Sequence, residues 1–282
     1  MQIIPEPQEV QALVEEARSA GRTVGVVPTM GALHDGHVAL LKRCRAENDL
    51  VIMTLFVNPM QFDRKDDLAR YPRDLTRDAG LAREAGADLI FAPTPEQMYP
   101  AGFATAVTVE GLTDRWEGAT RPGHFRGVTT VCTKLFTVCR PHRAYFGQKD
   151  YQQSLIVRRL VADLNLGFAI VVCPTVREAD GLALSSRNVL LDPESRRQAV
   201  VLSQSLFAAQ AAVKAGERDA ARLRDAIEAR IRTAPLAQPG YVAVCHPDTL
   251  EPLTTISSRA VALLAVRFGP VRLIDNMILT GC

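Results

Sequence analysis

The chain has 282 residues, 47% of them hydrophobic, enough for two modest domains or one large one around a substantial buried core. Its 33 basic and 31 acidic residues give a net charge of +2 and are spread without long blocks of one sign, which argues against a nucleic-acid binder and its clustered basic surface. No apolar stretch approaches membrane-spanning length, and Met1–Pro7 lacks the basic start and apolar core of a signal peptide, so a cytoplasmic protein that engages no membrane is expected.

Apolar runs alternate with helical patterns through the first half. Thr23–Val27, Leu50–Val57, Asp88–Ala92, Ala144–Phe146 and Ala169–Cys173 predict buried strands. Between them, Val38–Ala46, Leu75–Ala85, Val128–Val138 and Tyr151–Leu164 carry apolar residues at helical spacing. Such alternation implies an α/β fold, a Rossmann-like parallel sheet with helices on both faces. After about Pro174 the rhythm changes. Two Ala- and Arg-rich helical segments, roughly Pro193–Ala215 and Arg218–Thr233, are separated by Gly216, a residue suited to the left-handed turn after a helix. Strand-like runs follow at Tyr241–Cys245, Ala260–Arg267 and Val271–Leu279, so residues 176–282 are expected to form a smaller α+β domain after a first domain of residues 1–175. Cys44, Cys132, Cys139, Cys173, Cys245 and Cys282 are scattered without a Cys-x-x-Cys pair, which points to reduced thiols in packing roles rather than a disulfide framework or zinc ribbon.

The first strand runs straight into Pro28-Thr29-Met30-Gly31-Ala32-Leu33-His34-Asp35-Gly36-His37, and the next residues, Val38–Leu41, are apolar again. A strand, a turn and a helix start therefore set two imidazoles three residues apart, beside backbone N–H groups with no intrahelical acceptor. This is a setting for a nucleotide phosphate. Ligands of parallel sheets bind beyond the carboxyl ends of the strands, where this turn and the loop after Phe56 both fall. In that loop, Phe56–Phe62, the amides of Asn58 and Gln61 can bind hydroxyl or carboxylate oxygens without adding charge. Phe146-Gly147-Gln148-Lys149-Asp150 leads into the helix carrying Gln152 and Gln153. Gly147 permits a close backbone approach, Lys149 offers a cation for phosphate, and Asp150 suits a helix cap or a ribose hydroxyl. Leu184-Ser185-Ser186-Arg187-Asn188 joins two hydroxyls to a guanidinium, which is phosphate chemistry again.

His34-x-Gly36-His37 resembles the H-x-G-H signature of the nucleotidylyltransferase superfamily, where the histidines meet the triphosphate as AMP is transferred. Together with Phe56–Phe62, Arg121–Gly127, Gly147–Gln153, Leu184–Asn188 and the closing Arg272–Asn276, in that order and spacing, the chain resembles the pantothenate synthetase (pantoate–β-alanine ligase) family over essentially its whole length. The resemblance implies a two-step reaction in vitamin B5 and coenzyme A biosynthesis. ATP and pantoate form a pantoyl adenylate with release of pyrophosphate, and the amine of β-alanine then attacks the activated carbonyl, releasing AMP and pantothenate. By the same resemblance Met30, Gly31, Ala32, Leu33, His34, Asp35, Gly36, His37, Gly147, Gln148, Lys149, Asp150, Val176, Leu184, Ser185, Ser186 and Arg187 serve ATP. Gln61 and Gln153 serve pantoate, with Gln61 also near β-alanine and Asn58 held toward the site. His37 matches the position described as a proton donor, and a homodimer is implied.

A carboxylate attacking the α-phosphorus needs no general base. The barrier is crowded negative charge, so donors aimed at the transferring phosphate and the leaving pyrophosphate should dominate. His34, His37, Lys149, Ser185, Ser186 and Arg187 are the expected catalytic set, with Mg²⁺ bridging phosphate oxygens mostly through water and no all-protein metal cage in the sequence. Pro28, Met30 and Phe62 are expected to wall a pocket for pantoate's gem-dimethyl group, and closure hinged near Val176–Gly181 would keep water from the acyl adenylate. Two other readings compete. A cofactor adenylyltransferase would pass AMP to a phosphate, a task for which Gln61 and Gln153 supply too little charge. A nucleotide-binding regulator without catalysis is opposed by the intact His34, His37, Lys149 and Arg187. Gln148 stands where the family commonly has Glu, and Cys245-His246-Pro247-Asp248 stands in place of its usual Val-Asp-Pro-Asp. Arg121, His124 and Arg126 either wall the cleft or stabilise a loop, Trp116 belongs to core or interface, and His142 is expected at the surface.

Overall fold

The computed structural model describes residues 1–62, 68–69 and 71–281. Two compact units emerge, one comprising Met1–Gly147 and Gln152–Pro174, the other Gln148–Tyr151 and everything from Thr175 onward.

In the first unit the chain runs β1 (Gln2–Ile4), α1 (Pro7–Ser19), β2 (Val24–Thr29), α2 (Asp35–Glu47), β3 (Leu50–Leu55), α3 (Leu75–Glu84) and β4 (Leu89–Phe91). The one-turn helices α4 (Pro95–Met98) and α5 (Glu117–Thr120) lead to α6 (His124–Cys139), β5 (Arg143–Gly147), α7 (Tyr151–Asp163) and β6 (Ala169–Cys173). The six strands pair in parallel in the order β1-β4-β3-β2-β5-β6, which is the Rossmann-like sheet expected from the alternation. Strands alternate inward faces. Val24, Val26, Ile52, Ala144 and Phe146 meet Val10 and Val14 of α1 and Val128, Val131 and Leu135 of α6, while Val27, Val51, Met53 and Tyr145 meet Leu40, Leu41 and Cys44 of α2 and Ala79 and Ala82 of α3. Burial on both faces is why these strands read as continuous apolar runs. The order reverses between β2 and β5, because β3 and β4 extend the sheet one way from β2 and β5 and β6 the other. Such a switch point opens a crevice at the carboxyl ends of the two central strands, and the segments after Thr29 and after Phe146 leave the sheet there.

The second unit contains α8 (Pro193–Ala199), α9 (Val201–Lys214) and α10 (Ala220–Ile231), followed by an antiparallel sheet in the order β7 (Ala237–Cys245), β8 (Arg259–Phe268) and β9 (Val271–Thr280). Leu202, Leu206, Leu223 and Ile227 of the helices pack on Ala262, Leu264 and Val266 of β8. The single helix expected over Pro193–Ala215 is two, meeting at Val200. β7 starts four residues earlier than its apolar run, because Pro239 and Gly240 sit in a bulge between Pro239 and Tyr241 on an edge strand, where a missing N–H is tolerated.

Cys44, Cys132, Cys139, Cys173 and Cys245 are buried free thiols. Burial pushes Cys44, Cys132 and Cys139 up to about 12, so they pack as neutral groups. Cys282 lies outside the described residues. No helix among the described residues is long and apolar enough to cross a membrane.

Candidate active site

β2 delivers Met30 to the carboxyl edge of its sheet, and the chain then turns through two left-handed residues, Gly31 (φ 88°) and Ala32 (φ 53°). Asp78 of α3 holds that turn. Its carboxylate accepts the Ala32 and Leu33 N–H groups, each at 2.8 Å, and the residue is 1% exposed. His34 is the N-cap of α2, and the two imidazoles complete a capping box: Nδ1 of His34 accepts the Gly36 N–H at 3.1 Å and Nδ1 of His37 accepts the His34 N–H at 3.3 Å. The rings lie with centroids 4.1 Å apart. A Cβ on Gly36 would fall 2.8 Å from Cε1 of His34, so the ring folds back over the turn only above a glycine. Because both Nδ1 lone pairs are engaged, the ring proton of each neutral imidazole sits on Nε2. The donors differ from those expected. The N–H groups of Ala32, Leu33, His34 and Gly36 are committed to Asp78 and to the histidines, and are not the open anion donors the sequence suggested.

The loop after β3 forms a 3₁₀ turn, Pro59–Gln61, capped by Asn58, whose Oδ1 accepts the Met60 N–H at 3.3 Å. Gln61 is 8% exposed and donates from Nε2 to Met30 Sδ at 3.2 Å, which joins the two sequence motifs within one unit. The Arg121–Gly127 segment is built around this turn. Nδ1 of His124 donates to the Gln61 carbonyl at 2.8 Å, Arg121 donates to the same oxygen at 3.3 Å, and Arg121 Nη1 lies 3.2 Å from His124 Nε2. A Cβ on Gly127 would come within 2.3 Å of the Met60 carbonyl oxygen, so α6 can meet the turn only at a glycine. Arg121 and His124 therefore clamp the backbone of Gln61, while Arg126 is exposed. On α7, Gln152 is buried and binds Leu112, Arg115 and Glu117 backbone groups, and Gln153 beside it is half-buried. Trp116, in the loop that Gln152 holds, adopts φ 49° and is half-buried. His142 is not an ordinary surface residue, since its Nδ1 accepts the Val24 N–H at 2.9 Å.

In the second unit Asn276 of β9 donates from Nδ2 to the carbonyls of Gln148 (3.0 Å) and Lys149 (2.8 Å), and Gln148 Nε2 lies 3.4 Å from its Oδ1. The neutral Gln148 thus faces an acceptor, an arrangement a carboxylate would oppose. Tyr151 donates to the Pro247 carbonyl at 2.9 Å. Next to Asn276, Asp275 receives a bidentate pair from Arg177 at 2.6 and 3.0 Å with both side chains largely buried. Arg177 bridges to Ala183 and the Leu184 N–H bonds to the Val176 carbonyl, so Val176–Leu184 is a folded hairpin pinned to β9. Its Gly181 has φ 94°. Ser185 Oγ accepts the Arg187 N–H at 3.2 Å, and Asn188 ties the segment back to Glu178 and Ala183. Lys149, Ser185, Ser186 and Arg187 are half-buried, and Asp150 is exposed. His246 caps its own turn, Nδ1 accepting the Asp248 and Thr249 N–H groups at 3.2 and 3.4 Å.

Asp78 and Arg177 carry no mark in the sequence, and Asp275 and Asn276 stand there only as part of the closing motif, without the roles their contacts give them. Asp78 looks like any acidic residue in a first helical turn, and only its burial marks it. A family model described as pantoate-beta-alanine ligase matches residues 2–278. The pantothenate synthetase of Moorella thermoacetica is 54% identical over 99% of both chains, and that of Roseiflexus castenholzii is 57% identical over 91% of this chain and 92% of its own. Pantothenate synthetase from Thermus thermophilus superposes with a TM-score of 0.93 at 50% identity, covering 98% of this chain and 99% of its own. A Francisella tularensis pantoate-beta-alanine ligase complexed with beta-gamma ATP and beta-alanine superposes at 0.81 with 32% identity, covering 99% and 97%. Motifs, topology and these likenesses agree: the chain belongs to the pantoate–β-alanine ligase family.

Proposed function

We propose that the chain condenses pantoate with β-alanine through a pantoyl adenylate, releasing pyrophosphate and then AMP. The observation that carries this is the histidine capping box after β2. Backbone N–H groups hold both rings through Nδ1 before substrate arrives, so the imidazoles need little reorganisation as charge builds on the α-phosphate and the leaving pyrophosphate. Gln61 and Gln153 take pantoate, and neutral amides hold its carboxylate without the tight ion pair that would blunt its attack on phosphorus. Lys149, Ser185, Ser186 and Arg187 serve the phosphates, Met30–His37, Gly147–Asp150, Val176 and Leu184 line the ATP site, and Asn58 supports the acid substrate. His37 acts in this reading as a hydrogen-bond donor and not as an acid.

Mg²⁺ belongs to the same proposal as a counter-ion of the triphosphate. In this reading the ion is held by phosphate oxygens and water. Family resemblance supports a cytoplasmic homodimer. The test is formation of pyrophosphate and AMP from ATP by the purified chain, with pantoate alone and then with β-alanine. Pantoate-dependent pyrophosphate, with sustained AMP and pantothenate only when β-alanine is present, is the expected result. His34→Ala should lower the rate by about a hundredfold, the cost of one well-placed donor.

A further inference from the structure

Around Gln61 the hydrogen bonds admit only one polarity. Two backbone groups orient Asn58, since its Oδ1 faces the Met60 N–H at 3.3 Å and its Nδ2 faces the Gly127 carbonyl at 3.1 Å. Exchanging the amide's two ends would set donor against donor and acceptor against acceptor. With Asn58 so fixed, its Oδ1 takes a donor from the Tyr99 hydroxyl at 2.7 Å, and its Nδ2 gives to Oε1 of Gln61 at 3.0 Å. Gln61 is left to turn its NH₂ group toward Met30, where the thioether at 3.2 Å is a weak acceptor that a substrate oxygen outcompetes. His124 and Arg121 hold the Gln61 backbone in place, and burial with the Asn58 contact restrains the side chain. Tyr99 suits its place. Its ring packs against Phe56 and Phe103 at centroid distances of 6.0 and 5.1 Å, and burial pushes the phenol above its ordinary value, so the hydroxyl stays a donor at any working pH.

We infer that Tyr99 is a positioning residue: its 2.7 Å bond anchors Asn58 in the one orientation its longer backbone contacts select, and Asn58 so held makes Gln61 present its NH₂ group and not its carbonyl to the acid substrate, so that the site selects an oxygen acceptor at that point of pantoate. This rests on the proposed assignment of Gln61 to pantoate. A carbonyl turned the other way would meet a carboxylate or hydroxyl lone pair and repel it.

Tyr99→Phe keeps the ring and removes only the hydroxyl. Its pantoate KM is expected to rise about five- to tenfold, the equivalent of one lost hydrogen bond, with the ATP KM changed by less than about twofold. In a Gln61→Ala background, which raises the pantoate KM by itself, Tyr99→Phe should add less than about twofold, because the relay has nothing left to orient. In ¹⁵N–¹H spectra the Gln61 side-chain amide pair should shift or double in Tyr99→Phe. Asn58→Asp, which keeps the shape but removes the NH₂, should raise the pantoate KM further. An unchanged pantoate KM in Tyr99→Phe, or a rise repeated in full without Gln61, overturns the inference. If Gln61→Ala itself leaves the pantoate KM unchanged, the assignment of Gln61 to pantoate fails and the inference with it. If Gln61→Ala acts and Tyr99→Phe does not, only the relay is lost.

Discussion

Asp78 offers the most direct test of how the histidine turn is held. Its two carboxylate oxygens each accept one backbone N–H at 2.8 Å, from Leu33 and Ala32, and the residue is 1% exposed. Asp78→Asn keeps one acceptor and sets an NH₂ group against the other N–H. One buried donor left unpaired costs about 1–3 kcal/mol, and the surviving bond loses its charge assistance, so the variant should be less stable by roughly 2–3 kcal/mol. In a unit of this size that lowers Tm by roughly 4–12 °C. The functional loss should follow from the same contact. Ala32 is held at φ 53°, a conformation L-residues avoid, and without its anchor the turn relaxes and carries His34 with it. We expect kcat/KM for ATP to fall tenfold or more, with a smaller change in the pantoate KM. Thermal unfolding and pyrophosphate release at varied ATP give both numbers. An Asp78→Asn enzyme melting within about 1 °C of the parent, with the same kcat/KM for ATP, would refute the reasoning.

Other consequences are as direct. Gly127→Ala places a methyl group 2.3 Å from the Met60 carbonyl oxygen, and since both sides of that contact are backbone, destabilisation of about 1–3 kcal/mol and a raised pantoate KM are expected in unfolding and initial-rate measurements. Asn276→Ala releases the carbonyls of Gln148 and Lys149, so the ATP KM should rise about tenfold while the pantoate KM stays within about twofold; equal changes in both would argue for a general structural loss. Burial holds His142 below its ordinary value of 6.5, with Arg18 and Arg143 acting in the same direction, and its neutral Nδ1 accepts the Val24 N–H. The unfolded chain therefore binds this proton more tightly than the folded one. The contribution is complete above pH 6.5 and is lost as pH falls below it toward the folded value. Melting temperatures at about pH 7.5 and 5.5 should drop less in His142→Asn than in the parent, and equal drops would remove His142 from the account.

The sheet was legible because both its faces are buried. Val24–Val27 and Leu50–Leu55 are apolar on successive residues, and the turn chemistry of Asn58-Pro59 marks where β3 has ended. Sequence could not show β1, because a three-residue strand has too few residues to declare a period, whereas α1 carries Val10, Val14 and Ala17 at helical spacing behind Pro7 in its first turn and was open to prediction. Chemistry at strand ends was visible as residue type, whereas the groups that aim it were not. Asp78, Tyr99 and Asn276 lie 45, 41 and 127 positions from the partners they hold, and a single sequence carries no trace of such pairings. His142 was misread for the same reason, its partner Val24 lying 118 positions away.

The β5–α7 connection Gln148–Asp150 and the first residue of α7, Tyr151, are grouped with a body otherwise made of residues from Thr175 onward. Anyone dissecting the gene meets this at once. A fragment begun at Thr175 would carry β9 with the Asn276 amide stripped of both its carbonyl acceptors and Pro247 without the Tyr151 hydroxyl. No cut in the linear sequence separates the two bodies, since the chain is stitched through the second one partway along the first. Independent expression of the C-terminal half is for that reason an unpromising strategy, and co-expression with a segment spanning residues 147–152 is the complementation that would restore its missing stitch.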